Sequence, residues 1–77
     1  MRRARKSSNA SAPYEPLSAA QLRVLALLNR GLTTSEIARE LDITVGTVRW
    51  HLNHVFEKLR VRNRTQAVVR ARDLRLV

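Results

Sequence analysis

The order of apolar and polar residues between Thr44 and Leu59 predicts one helix with two different faces. At about 100° per residue, one stripe of this helix collects the apolar side chains Val48, Leu52, Val55, Phe56 and Leu59. The opposite side collects Gly46, Arg49, Trp50 and Asn53. We expect the apolar stripe to face a core and the opposite side to face a partner.

The residue types on that opposite side favour DNA as the partner. Arginine and asparagine carry the donors and acceptors that match the edges of guanine and adenine, and an α-helix fits the major groove of duplex DNA. We therefore interpret this as a recognition helix whose base contacts are Arg49, Trp50 and Asn53. Trp50 lies about 180° from the centre of the apolar stripe. We expect it to be exposed and able to meet a thymine methyl group, a sugar or a partner domain.

Polar caps and helical apolar spacing predict three further helices. The first two begin with a capping box, in which a Ser or Thr is followed three residues later by Gln or Glu: Ser18 with Gln21, and Thr33 with Glu36. Gly31 can end the first helix in the left-handed conformation, and Asn63 can cap the last helix. The prediction is an all-α fold of four helices, at approximately 18–30, 34–41, 45–59 and 64–74.

The connection between the second and third predicted helices is typical of a helix-turn-helix arrangement, because only about three residues separate them. Residues 1–16 are polar, basic and interrupted by two prolines, which predicts a disordered basic tail or linker ahead of a domain at 17–77. The basic residues of the tail either remain solvated, which we favour, or form an arm that contacts phosphates or the minor groove: Arg2, Arg3, Arg5 and Lys6.

Composition narrows the class of protein. A chain of 77 residues makes one small domain and is too short to enclose a substrate cleft as well, so we expect neither an enzyme nor a cofactor. The 15 Lys and Arg against 6 Asp and Glu give a net charge of +9, which favours a polyanion as partner. The sequence has no cysteine, its two histidines alone make no metal site, and no apolar run approaches the roughly 20 residues of a membrane span. We expect a cytoplasmic protein.

A longer pattern resembles a known family. The sequence is similar to the LuxR-type (GerE-type) helix-turn-helix DNA-binding domain of bacterial transcription regulators over nearly everything after Pro16, through Leu17-Ser18, Val24-Leu25, Leu27-Leu28, Gly31-Leu32-Thr33, Glu36-Ile37-Ala38, Leu41, Ile43-Thr44, Thr47-Val48-Arg49, His51, Lys58-Leu59, Val61, Asn63-Arg64 and Ala67-Val68. Within that family, the large ATP-dependent members are the most similar in two stretches, Trp50-His51-Leu52 and Arg64-Thr65-Gln66-Ala67-Val68.

The resemblance implies a domain that binds double-stranded DNA with sequence specificity, as a homodimer, to regulate transcription. In the family the third helix enters the major groove and the fourth forms the dimer contact, and RNA polymerase is a further candidate partner. Phosphate contacts are expected at the family positions Thr47 and Lys58, and also at Thr34, Ser35, Val45, Gly46 and Arg64. Dimer contacts are expected at Thr65, Val69 and Arg72.

Some positions have two interpretations at this level. Val69 belongs either to a dimer seam or to a scattered set of surface apolar residues. Gly46 is either a weak position in the first helical turn or a place where a phosphate approaches the backbone. Arg60 stands where the family often has Gly or Asn, so we expect strain or an altered turn there. We expect His51 to pack at the edge of the core and His54 to be exposed.

Two other functions compete with a sequence-specific regulator. One is a promoter-recognition domain like that of a sigma factor, which would share the central two helices, although the fourth predicted helix counts against it. The other is a non-enzymatic RNA-binding or protein-adaptor module. The three aromatic residues of the chain are few for an RNA reader, since such proteins tend to use aromatic clusters on sheets or loops.

Overall fold

Four α-helices account for most of residues 15–77, which are the residues that the computed structural model describes. They are α1 (Ala19–Asn29), α2 (Thr34–Leu41), α3 (Val45–Leu59) and α4 (Arg64–Asp73). The predicted all-α fold is confirmed, with each predicted helix end within one residue of the observed one. Most of the predicted basic tail lies outside the described residues. The backbone N–H of Glu15 donates to the carbonyl of Lys58 at 3.1 Å, so the chain is held against α3 from residue 15 onward.

Each helix begins at a polar side chain that accepts a hydrogen bond from a free backbone amide. The caps of α1, α2 and α3 are Ser18, Thr33 and Thr44, each 3.1 Å from the amide nitrogen three residues on. Asn63 caps α4 in the same way at 2.9 Å. The predicted capping boxes of α1 and α2 are complete, since the Gln or Glu side chain returns to the cap's own amide. Each such cap contributes about 1 kcal/mol of stability.

Each helix also ends in the same way, with one residue in the left-handed conformation followed by an apolar residue. The left-handed residues are Gly31, Asp42, Arg60 and Arg75, with φ of 92°, 56°, 60° and 57°. The amides of the residues that follow donate to the last turn of the helix: Leu32 to Leu27, Ile43 to Ala38, Val61 to Phe56 and Leu76 to Ala71. This is the Schellman motif. Of the two expectations for Arg60, strain or an altered turn, the structure shows the first, because Arg60 keeps the left-handed turn in spite of its Cβ atom. Three of the four turns are made without glycine.

The core lies between α1, α3 and α4, with α2 packed across α3. It comprises Val24, Leu25, Leu27, Leu28, Ile37, Ala38, Val48, Leu52, Val55, Leu59, Ala67 and Ala71. The apolar stripe predicted for α3 is buried, with Phe56 half-buried at its edge. Helix α3 contacts all three other helices, which fixes its orientation and leaves only its opposite side exposed. Within residues 15–77 no helix is both long enough and apolar enough to cross a membrane.

Candidate nucleic-acid interface

The connection between α2 and α3 positions the exposed side of α3. Asp42 reverses the chain in the left-handed conformation, the half-buried Ile43 packs on the core, and Thr44 caps α3. The turn is therefore fixed by the packing of Ile43, by the left-handed backbone of Asp42 before it and by the helix cap at Thr44 after it. Two helices joined by so short a turn form the predicted helix-turn-helix arrangement.

The exposed side of α3 carries the residues predicted to contact bases. Arg49, Trp50 and Asn53 are all exposed, and they lie on the side opposite the buried stripe. Trp50 is 57% exposed, which confirms that the only tryptophan of the chain is not a core residue. An arginine, an indole and an amide are thus presented together on one helix surface, which we call the α3 outer face.

Two histidines flank the indole of Trp50. The His54 ring lies 4.3 Å from it, centroid to centroid, and the His51 ring lies 5.3 Å from it in an edge-on arrangement. His54 is half-buried, so the prediction that it is exposed was wrong. Its Nδ1 donates to the carbonyl of Trp50 at 2.8 Å. His51 is half-buried, as expected of a residue at the edge of the core, and its Nδ1 has no hydrogen-bond partner among the described residues.

The first turns of α2 and α3 contain five of the residues predicted to contact phosphates. Thr34 and Ser35 begin α2, and Val45, Gly46 and Thr47 begin α3. The first backbone hydrogen bond of α3 runs from the Val48 amide to the Thr44 carbonyl, so the amides of Val45 and Gly46 precede the hydrogen-bonded ladder. Such amides, with the positive end of the helix dipole, favour anions. The Thr47 hydroxyl lies 2.9 Å from that of Thr44.

The structure shows no need for glycine at position 46. A Cβ atom built there would meet only the Thr44 hydroxyl oxygen, at 3.8 Å, which is an ordinary contact distance. Gly46 also does not have the positive φ found at Gly31. A glycine therefore provides no packing advantage within the described part of the chain.

Three basic residues of the predicted contact sites have partners within the protein. The Lys58 ammonium donates to Gln21 Oε1 at 3.0 Å. The Arg64 guanidinium donates to the carbonyls of Leu32 and Leu28, at the end of α1. Arg72 Nε donates to Asn29 Oδ1 at 2.8 Å. These bonds join α3 and α4 to α1 across 32 to 43 positions of sequence, a role that no local pattern indicates.

The outer side of α4 contains a shallow groove of about 460 Å³. Thr65 and Val69, both predicted dimer contacts, line it, and Val69 is 51% exposed. Arg72, the third predicted contact, is not among the lining residues and instead bonds to α1. The remaining lining residues are Arg60, Val61, Gln66, Arg70 and Asp73. The groove therefore combines one exposed apolar side chain with charges of both signs.

The described residues offer no assembled metal site, since residues 15–77 contain no group of three or more His, Cys, Asp or Glu that could hold a metal ion. The chemistry available on the α3 outer face is hydrogen bonding, apolar contact and electrostatic attraction. Those are the interactions by which proteins bind nucleic acids.

Comparison with known proteins gives matches that cover most of the chain. Residues 15–71 match the family described as "Bacterial regulatory proteins, luxR family". The chain is 41% identical over 75 residues to the transcriptional regulatory protein LiaR of Bacillus subtilis, a match that covers 97% of this chain and 36% of that protein. It is 43% identical over 58 residues to the transcriptional regulatory protein DesR of the same organism, covering 75% of this chain and 29% of DesR.

A solved structure supports the same assignment. The response regulator ChrA of a heme-sensing two-component system superposes with a TM-score of 0.79 at 39% identity, covering 94% of this chain and 36% of that one. The chain thus spans about a third of the length of the relatives named above. The expected similarity to the large ATP-dependent members remains a prediction.

Proposed function

Because the chain belongs to the luxR family of bacterial regulatory proteins, we propose that it binds double-stranded DNA with sequence specificity and regulates transcription through that binding, with α3 in the major groove. The observation that carries this proposal is the α3 outer face, on which Arg49, Trp50 and Asn53 are exposed together while the opposite stripe is buried. The proposal concerns the DNA-binding step, since the relatives are longer proteins.

Each of the three residues has a distinct part in reading bases. Arg49 presents a guanidinium that can donate two parallel hydrogen bonds to guanine, and Asn53 presents an amide that can bond to adenine. Trp50 presents an apolar surface to a thymine methyl group or a sugar. Arg49 and Asn53 are four residues apart, which places them one above the other on the helix and within reach of neighbouring base pairs.

Phosphate contacts around the groove would come from the starts of α2 and α3. There Thr34, Ser35, Val45, Gly46 and Thr47 offer backbone amides and hydroxyl groups. Lys58 and Arg64 can take part as well, although each already bonds within the protein. An ammonium has three N–H donors and a guanidinium has five, so both keep donors for a phosphate.

The proposed assembly on DNA is a homodimer formed through α4. The groove lined by Thr65 and Val69 supports it, because an exposed apolar side chain on a face with mixed charges suits a small self-complementary contact. Arg72 belongs to the edge of this contact at most. A two-fold dimer predicts paired half-sites about 10 base pairs apart.

The test is selection of the purified chain against a random duplex DNA pool at near-physiological salt. We expect one enriched motif with two half-sites, and we expect Arg49→Ala, Trp50→Ala and Asn53→Ala each to relax the preference at one position, at about 1–3 kcal/mol per lost base contact. Arg39→Ala is the matched control, because it removes an exposed arginine from α2 and leaves the α3 outer face intact. Its motif should be unchanged.

Other outcomes identify the competing functions. If no motif emerges and all variants bind duplexes alike, α3 does not read bases and the domain is a non-specific anchor. Preference for single strands or structured RNA would indicate the RNA-binding alternative instead. A motif with a single, unpaired half-site would support a sequence-specific regulator and would contradict the homodimer.

A further inference from the structure

The indole of Trp50 has two aromatic neighbours on its own helix, although Trp50 is 57% exposed. Its ring is 4.3 Å from that of His54, with 46° between the planes, and 5.3 Å from that of His51, with 66° between the planes. Aromatic rings attract in tilted and edge-on arrangements at centroid separations of about 4.5–7 Å. The His51 ring lies within this range, and the His54 ring lies slightly closer than it. The indole therefore has a ring neighbour one residue and four residues further along α3.

His54 is itself fixed by a hydrogen bond. Its Nδ1 lies 2.8 Å from the backbone carbonyl of Trp50. A carbonyl oxygen can only accept, so Nδ1 carries the hydrogen and donates it, and this assigns the tautomer of the neutral ring. The same residue thus supplies both the anchor of the His54 ring, through its carbonyl, and the indole that packs on that ring.

This arrangement matters for binding because exposed side chains are normally mobile. An exposed rotamer exchanges within picoseconds to nanoseconds, and ordering it at an interface costs free energy on association. A side chain that is already ordered in the free protein avoids that cost. His54 can provide this order, because it is half-buried, is fixed by its own hydrogen bond and has its ring 4.3 Å from the indole.

We propose that His54 is a positioning residue for Trp50, which it holds in one orientation on the α3 outer face before DNA is bound, so that the indole meets a thymine methyl group as a fixed apolar surface. This inference rests on the proposed function and names a chemical group that α3 would recognise. The C5-methyl of thymine is the apolar group that a base pair presents in the major groove.

The first test is made without DNA. Trp50 is the only tryptophan of the chain, so tryptophan emission reports on this side chain alone. In time-resolved anisotropy, we expect a small fast component for the wild-type chain and a large one for His54→Ala. His54→Phe, which keeps a ring but lacks the Nδ1 donor, should give an intermediate value. Equal fast components in all three proteins would overturn the inference.

The second test uses DNA in which the selected thymine is replaced by uracil, which removes only the C5-methyl. We expect the wild-type chain to bind the uracil duplex about two- to tenfold more weakly. The ratio of the two affinities, thymine duplex over uracil duplex, should decrease towards one in His54→Ala and equal one in Trp50→Ala. In the Trp50→Ala background, His54→Ala should have no further effect on affinity.

The double-variant comparison separates positioning from direct contact. If His54→Ala weakens binding equally with and without Trp50, then His54 contacts DNA itself and the inference is wrong. An unchanged thymine-to-uracil ratio in His54→Ala would also overturn it, with the proposed function intact. Failure of the wild-type chain to select any motif would overturn both. Circular dichroism of each variant verifies that its total helix content is unchanged.

Discussion

The structure of the protein does not require glycine at position 46. It lies in the first turn of α3, has no positive φ, and a Cβ atom there would make only one ordinary contact. Glycine within a helix loses more conformational freedom on folding than alanine does. The position therefore weakens α3 without a packing gain, which leaves close approach of a DNA phosphate as the functional interpretation.

Substitution of Gly46 by alanine should affect stability and binding in opposite directions. We expect Gly46→Ala to raise the free energy of unfolding by about 0.5–1 kcal/mol in urea titration. The added methyl group should at the same time weaken binding to the selected duplex. Gly31→Ala is the control, because φ is 92° at that position, and it should lower stability by about 1 kcal/mol or more. If Gly46→Ala binds as the wild type does, Gly46 is only a weak position in the helix.

Arg60 is the opposite case to Gly46, because it occupies a left-handed conformation that suits glycine. Its φ is 60° and its ψ is 46°, at the end of α3. A residue with a Cβ atom pays roughly 1–2 kcal/mol there. We expect Arg60→Gly to stabilise the protein, by up to about 1 kcal/mol once the greater freedom of unfolded glycine is deducted. Thermal unfolding would measure this.

The matched control for Arg60 is two residues away. Arg62→Gly removes the same charge from an exposed position of the same turn, where φ is not positive. It should leave stability unchanged or lower it. Equal effects of the two substitutions would mean that charge repulsion, rather than backbone conformation, sets the stability of this turn.

At the scale of elements, Arg64 joins the start of α4 to the end of α1. Its guanidinium donates to the carbonyl of Leu28, in the last turn of α1, which also accepts from the Gly31 amide. It donates as well to the carbonyl of Leu32, just after the helix. We expect Arg64→Met to lower the free energy of unfolding by about 1–2 kcal/mol, a value near the lower end for bonds from charged donors because the side chain is only half-buried.

The same experiment distinguishes this structural role from a phosphate contact. Arg62→Met removes an equal charge from a more exposed neighbour and should leave stability nearly unchanged. Salt titration of DNA binding at a temperature where both variants are folded then gives the number of phosphates neutralised, at about 0.9 log units of affinity per log unit of salt for each. An Arg64→Met protein with wild-type stability would contradict the proposed link to α1.

The four helices could be predicted from sequence because their limits are set by local chemistry. A cap such as Thr33 and its partner Glu36 are three residues apart, and the apolar stripe of α3 repeats within one helix. The left-handed stop was readable at Gly31, but Asp42 makes the same turn without the residue that usually signals it. Local signals therefore predict the position of each helix, but they do not always predict the left-handed turn that ends it.

At the scale of the whole molecule, the contacts that join helices could not be read from local patterns. Lys58 bonds to Gln21 across 37 positions and Arg72 to Asn29 across 43, and in the sequence both basic residues resemble surface charges available to DNA or to a partner. Only the packing of α1 against α3 and α4 brings these partners together. The α3 outer face was predictable because its position follows from the buried stripe opposite.

The proposed dimer determines how the whole molecule binds paired half-sites, and a substitution in α4 tests it. Val69 is 51% exposed in the groove of α4, so Val69→Glu should leave the stability of the monomer nearly unchanged and should place like charges opposite each other in a two-fold contact. We expect it to weaken binding to paired half-sites and to leave binding to a single half-site unaffected. Val77→Glu is the matched control, since Val77 is 41% exposed outside the groove and gains the same charge. If the two variants bind paired half-sites equally well, α4 does not form the dimer and the exposed valine is an ordinary surface residue.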